Sequence, residues 1–361
     1  MRQRPALPDR PRATLRLTSA FLCGAVTLAG CAGPEPTRSD ENPPEAATSP
    51  APEGDVAATD YPTPPVSHAV ASTRVPGYPI GLTVARDGGV WAVATQAGAV
   101  RHLSLEHHDG PRTASAGAAE PWVDRSTRVG DVPLRAVDTP DGLWVSVFGA
   151  GVLRRLDPRL ERVGSFHEPE GLARAGDSLW VVDQARSEAV ELRLPDATVA
   201  RRVEVGTGPR LVHAGASGVW VSSYGAGTVT RVDGPRPVTR TVCDGPQGMV
   251  EAAGRLWVAC SLQDSLVGLD AQTLRPEVRL NDVVAVDALA ATRDSVLALL
   301  PDGPTVVAVD PEDGTERGRV RMADAPPVGD GNVDLLVHRD RVWASSAMTD
   351  EVLTLSVEDL P

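Results

Sequence analysis

Gly-Val-Trp-Val-Ser-Ser-Tyr-Gly-Ala-Gly-Thr-Val-Thr-Arg-Val-Asp, residues 218–233, is a β-rich run with a Trp near its start, a glycine turn and a second β-rich run. Its first half recurs as Gly-Val-Trp-Ala-Val (89–93), Gly-Leu-Trp-Val-Ser (142–146) and Ser-Leu-Trp-Val-Val (178–182). Arg-Leu-Trp-Val-Ala (255–259) and Arg-Val-Trp-Ala-Ser (341–345) are further copies, and Ser-Val-Leu-Ala-Leu (295–299) puts Leu297 in the Trp slot. The slots lie 53, 36, 40, 37, 40 and 46 residues apart, a mean of 42. A period near forty built of short strands and turns is the pattern of β-propeller blades.

Each unit supplies four runs. A Pro-x-Gly-like turn opens strand a, as in Pro169-Glu170-Gly171-Leu172; strand b carries the Trp; a second turn leads to strand c, and strand d returns to the next unit. The inner runs are apolar on both faces, as sheets covered on both sides require, so the repeated tryptophans are expected to pack blade on blade. The last unit ends at strand c (Val352-Leu353-Thr354-Leu355-Ser356) without a strand d, while Ala69–Val75 reads as a strand d placed before the first unit. Residues 68–361 are therefore expected to form one all-β domain, a seven-bladed propeller closed by its N-terminal strand, which removes the exposed sheet edge.

Upstream, residues 2–16 carry five arginines against one Asp9, and Leu17–Gly30 is an apolar run too short to span a bilayer. A basic start, a short apolar stretch and small residues at its end make residues 1–30 an export signal. Its end, Leu28-Ala29-Gly30-Cys31, resembles the lipobox of bacterial lipoproteins, which implies lipidation (a diacylglycerol, often with a further acyl chain) at Cys31 and a membrane anchor on the extracytoplasmic face. Residues 31–67 hold nine prolines among Ser, Thr, Ala and Glu and read as a disordered tether. Removing residues 1–30 takes five arginines and one aspartate from a chain of net charge −13, leaving −17, which argues against nucleic-acid binding. No Lys occurs, and nothing in the sequence suggests more than a monomer.

The repeats, most clearly residues 218–233, resemble the YVTN and YncE-like propellers and the seven-bladed streptogramin B lyases. Ligands of propellers bind where the d–a and b–c loops ring the central channel. The residue after the opening Pro gives the mouth positions Ile80, Leu134, Glu170, Arg210, Gln247, Asp287 and Val333, and the end of strand b gives Ala94, Val147, Asp183, Ser223, Cys260, Leu300 and Ser346. Asp183 is expected beside Glu170, and Tyr224 beside Ser223. Glu170, Asp183, Arg210, Tyr224, Gln247 and Asp287 form the candidate ligand site, expected to be a wet rim or, alternatively, a set of mutually paired groups plugging the channel.

The lyase resemblance implies a His at a mouth position and a Glu at a strand-b end, with Mg²⁺, opening a cyclic depsipeptide by elimination. No mouth position here holds His, and His213 comes four residues after Pro209. Glu170 with Asp183 could hold a divalent metal, or be a solvated acid pair or an ion pair with Arg210. Sugar-lactonase-like propellers also need Asn ligands, which this mouth lacks. His107-His108-Asp109 reads as a solvated loop more readily than as a metal site. No catalytic residue and no cofactor is assigned. Cys243 and Cys260 sit near one rim of one blade outside the cytoplasm, so a disulfide or two free thiols are both open, the bond slightly favoured. The expected function is non-catalytic binding of a protein partner or small polar ligand by a membrane-anchored propeller. A lyase or lactonase-type enzyme acting on a cyclic ester is the alternative, and a structural envelope component a third.

Overall fold

A computed structural model describes residues 55–56, 66–67, 70–105, 121–157, 159–300, 304–324 and 333–361. The export signal, Cys31 and His107–Asp109 lie outside the described residues. Seven antiparallel sheets of four strands each follow one another along the chain. Blade one is built by Pro79–Val84, Val90–Ala94, Ala99–Ser104 and Trp122–Arg128, and blade four by Pro209–Ala214, Val219–Ser223, Thr228–Arg231 and Val238–Thr241. Blade seven combines Leu335–His338, Arg341–Ser346 and Glu351–Ser356 with Ala71–Arg74, which pairs antiparallel with Glu351–Ser356 from Arg74–Glu351 to Ala71–Thr354. The fold is the all-β, seven-bladed propeller that the spacing predicts, closed by its N-terminal strand.

Every Trp slot seats its side chain against the following blade. Trp91 packs with Leu143 and Val145, Trp144 with Leu172 and Leu179, and Trp180 with Val212 and Val221. Trp220 meets Leu256 and Val258, Trp257 meets Leu289 and Val296, and Leu297 meets Leu335 and Val342. Trp343 completes the circle against Leu82 and Val90 of blade one. Truncating such a buried Trp typically costs ~3–5 kcal/mol, because a cavity is left as well as the transfer energy lost. Leu297 is accommodated in the same slot, fully buried.

The folded part begins further upstream than the sequence suggests. Asp55–Val56 adds a parallel fifth strand to the outer edge of blade five, opposite Arg279 and Leu280, and Val66 bridges Arg321 on the outer edge of blade six. Part of the stretch read as tether thus satisfies outer-strand backbone groups that would otherwise be free. Pairing of this kind uses the backbone alone, so Pro-rich composition did not reveal it.

Strands a form the wall of the channel, and their opening turns are close-packed. A Cβ on Gly81 would lie 2.6 Å from Leu134 O, on Gly171 2.7 Å from Arg210 O, and on Gly248 2.5 Å from Asp287 O. Only glycine lets neighbouring strands approach so closely, which explains the third residue of the Pro-x-Gly turn. A β-bulge follows the opening proline in blades one to five, at Pro79/Gly81 and Pro169/Leu172 for example, and re-aims the side chains beyond it.

Candidate functional site

Where the bulged strands begin, four of the sequence-predicted residues meet. Arg210 donates from Nε to Glu170 Oε1 and from Nη1 to Gln247 Oε1, both at 3.3 Å. Gln247 Nε2 donates to Asp287 Oδ1 at 2.5 Å, and the Val333 amide to Asp287 Oδ2 at 3.0 Å. Gln184 Nε2 completes Glu170 by donating to Oε2 at 3.1 Å. One chain of hydrogen bonds therefore runs from blade three to blade seven across the mouth.

Most of the ring is buried: Glu170 is 3 % exposed, Gln247 2 % and Asp287 2 %. Of the two arrangements expected, a wet rim or mutually paired groups that plug the channel, these residues adopt the second. These groups pair with one another because equivalent positions on adjacent blades bring acids, a base and an amide within bonding reach, and a buried polar group left unpaired is costly. The Arg210 side chain keeps 19 % exposure and lies with Cζ 5.3 Å from the centroid of the Tyr224 ring, itself half-buried. Arg210 and Tyr224 are thus the parts of the candidate set that a ligand at the mouth could reach.

Two charged residues of the ring escaped the sequence reading. Arg135 and Asp334 each follow a position taken as the mouth residue, Leu134 and Val333. In blade two the residue directly after the opening proline is Leu134 and the charge comes one position later, with the same bulge as in blades three and five, and blade seven lacks the opening proline altogether. A charged residue next to the expected position in an otherwise apolar strand was the available signal. Asp334 accepts the amides of Leu82 (2.8 Å) and Leu335 (3.0 Å), joining blade seven to blade one. Arg135 Nη1 donates to Ile80 O and Leu134 O, each at 3.3 Å.

Burial dominates the electrostatics. It pushes the carboxyl of Asp287 up to about 6, against the pull of the Val333 amide, Arg135, Arg210 and Gln247. Glu170 is likewise raised by burial, with Arg210 and Arg135 opposing, and Asp334 is raised by burial with Arg135 opposing. Three raised carboxyls held by two arginines in one channel make the kind of cluster in which functional groups concentrate. His213 lies elsewhere. It sits near the far end of strand a, stacked on Trp220 with centroids 6.1 Å apart, and burial lowers its pKa to about 4, so it is neutral at physiological pH.

Asp183 does not join the ring. Its carboxylate accepts the amides of His167 (3.1 Å to Oδ2) and Glu168 (3.1 Å to Oδ1), with Arg186 at 3.8 Å, and so pins the d–a loop to the end of strand b. In blade five the same strand-b position is Cys260, joined by a disulfide to Cys243 in the corresponding loop. The strand-b end thus braces loops in both blades. This bears on the divalent metal implied by the resemblance. Asp183 is turned to the d–a loop rather than towards Glu170 and Asp287, and among the described residues no cluster of three His, Cys, Asp or Glu suits a metal. The residues present do not fit the ion.

No family model matches the chain. A virginiamycin B lyase from Nocardia farcinica is 30 % identical over 237 residues, covering 63 % of this chain and 77 % of the relative. Among solved structures, a streptogramin B lyase superposes with a TM-score of 0.64 at 13 % identity, over 80 % of this chain and 99 % of its own. A catalytically inactive His-to-Ala variant of virginiamycin B lyase from Staphylococcus aureus, with quinupristin, gives 0.62 at 12 % identity over 80 % and 98 %. BamB from Moraxella catarrhalis gives 0.54 at 13 % identity over 77 % and 83 %.

Proposed function

The chain belongs to the virginiamycin B lyase family, and from that premise we propose that it binds a carbonyl-rich ligand, such as a cyclic depsipeptide, at the propeller mouth without opening it. The observation that carries this reading is Arg210, fixed from behind by Glu170 and Gln247 and from the side by Tyr224, with an edge still reachable from the mouth. A guanidinium held in place before binding loses little freedom when it donates to a carbonyl. Against catalysis stands the lack of His at any mouth position, where the Staphylococcus aureus virginiamycin B lyase is made inactive by replacing a His.

Calorimetric titration of quinupristin, with and without Mg²⁺, tests this. Chromatography and NMR should accompany it, since elimination opens the ring without changing mass. Binding with the ring intact, weakened about tenfold or more by Arg210→Ala, is expected; a ring-opened product would overturn it. The second reading, a lyase-type enzyme, is favoured by the relationship itself and by Asp287, whose pKa near 6 suits proton transfer.

We place the protein outside the cytoplasm, anchored by lipid at Cys31. Support comes from the basic, apolar and Leu-Ala-Gly-Cys succession at residues 2–31. Cys31→Ser should leave a precursor-sized or soluble protein, and unchanged membrane fractionation with unchanged N-terminal mass would sink the anchor.

A further inference from the structure

Below the ring the channel does not close. Strands a are buried at their opening turns and progressively exposed toward their far ends, as in Pro79–Val84, Pro246–Ala252 and Leu335–His338. The channel is therefore stoppered at the mouth and open on the opposite face. A cavity of about 350 Å³ fills it, within the range of roughly 300–1,000 Å³ that small-molecule sites occupy. Leu82, Leu172, Val212, Met249, Leu289 and Leu335 line its middle, whereas Glu170, Arg210, Gln247 and Asp287 take no part in the lining.

At the stoppered end stand two charged residues of the lining, Asp334 and Arg135, the latter only 9 % exposed. No carboxylate oxygen lies within 4 Å of it among the described residues, and its acceptors are two backbone carbonyls, both reached by Nη1. Nε and Nη2 have no protein acceptor among the described residues, so three of its five N–H groups are not committed to the protein. An incoming acceptor can take them without breaking a bond to the protein, exchanging at most with water.

We propose that this channel is a second ligand site, entered from the face opposite the mouth, for a small neutral molecule with an apolar body and a carbonyl end. The apolar body matches the aliphatic wall, and the carbonyl oxygen would accept from Arg135. The ligand is neutral because Glu170, Asp287 and Asp334 already act on Arg135 from around it. An added anion would face those carboxylates, and a cation would face Arg135. His213, uncharged and closer to the open end, offers neither type of ion a counter-charge. This site stands apart from Arg210 and Tyr224 and does not depend on the mouth reading.

Hexanamide, hexanoate and hexylamine share a chain and differ in the head group, which makes them suitable probes. Titrated into the purified protein, hexanamide should shift the Met249 methyl resonance saturably, and more tightly than either charged analogue. Arg135→Lys keeps the positive charge among the three carboxylates but removes the planar fork, and should weaken hexanamide about tenfold or more. Ala291→Trp, at a half-exposed position of the lining near the open end, should abolish the shift without disturbing the core. Val199→Ser, on the exposed outer strand of blade three, should leave it unchanged, and because no mouth ligand enters this titration a failure at the mouth does not bear on it. The proposal is overturned if no probe gives a saturable shift, if hexanoate or hexylamine binds as well as hexanamide, or if binding survives Ala291→Trp.

Discussion

Arg210→Ala tests whether the mouth ring behaves as one electrostatic unit. The substitution removes the charged donor from Glu170, 3 % exposed, and one donor from Gln247, while Gln184 still bonds Glu170. Breaking a buried pair from one side typically costs ~3–5 kcal/mol, since the remaining charge has no compensation. Arg210 keeps 19 % exposure, so water will reach part of the vacated space and ~2–3 kcal/mol is expected at pH 7. The penalty should depend on pH in a fixed direction. Glu170 already has a raised carboxyl, and Arg210 is the largest influence holding it down. In the variant that carboxyl rises further and can be neutralised by protonation. The folded form then binds a proton that the unfolded chain releases near its ordinary value of 4.5. Stability of the variant is retained below that value and lost as pH rises through the raised folded pKa. Urea unfolding of wild type, Arg210→Ala, Glu170→Gln and the double variant at pH 5 and pH 8 gives the coupling energy as a cycle. The reasoning fails if the Arg210→Ala penalty is below ~1 kcal/mol, or if it is as large at pH 5 as at pH 8.

Asp287, raised from 3.8 to about 6, should make stability fall as pH climbs from about 4 to 6, by up to ~3 kcal/mol for a two-unit shift. Asp287→Asn should flatten that part of the urea-midpoint profile, and an unchanged slope would remove Asp287 as its source. The Cys243–Cys260 disulfide closes a loop of sequence separation 17, worth ~3 kcal/mol by loop entropy. Reductant should therefore lower the urea midpoint of wild type and not of a Cys243→Ala/Cys260→Ala variant, and a wild type insensitive to reductant would refute the bond's contribution. Deleting residues 71–74 strips blade seven of its outer strand, and should lower the melting temperature far more than deleting residues 32–50; equal melts would argue against closure by this strand.

The blades were legible because a Trp slot recurring every forty or so residues is a side-chain signal, repeated often enough to survive Leu297 at one position. Ring closure was legible for a related reason, since the last unit visibly lacks a strand d and a spare one precedes the first. The contact of Asp55–Val56 with blade five was hidden, because it uses only backbone groups. At the mouth, Glu170, Arg210, Gln247 and Asp287 could be found by counting from the opening turns. Their mutual pairing was one of two arrangements left open, because the choice depends on distances between blades. Arg135 and Asp334 were missed by one residue each, because counting from the opening turns lands on the apolar Leu134 and Val333. Asp183 misled in the opposite sense. An acid at a strand-b end suggests a ligand group, but the adjacent d–a loop presents two amides that claim it first.

That competition also bears on how far this chain could share the chemistry of its relatives. A general base must be within reach of the proton it removes and must have a free lone pair directed at it. Asp287 titrates in a useful range, but Gln247 and the Val333 amide occupy its two oxygens and the carboxyl is 2 % exposed. Glu170 is in the same position between Arg210 and Gln184. Each oxygen keeps a second lone pair, but both carboxyls are buried, so a substrate would reach them only if the ring opened. A ligand that accepts from Arg210, which keeps 19 % exposure, does not need that opening. The burial of both carboxyls is the physical basis on which we propose recognition rather than proton abstraction at this mouth.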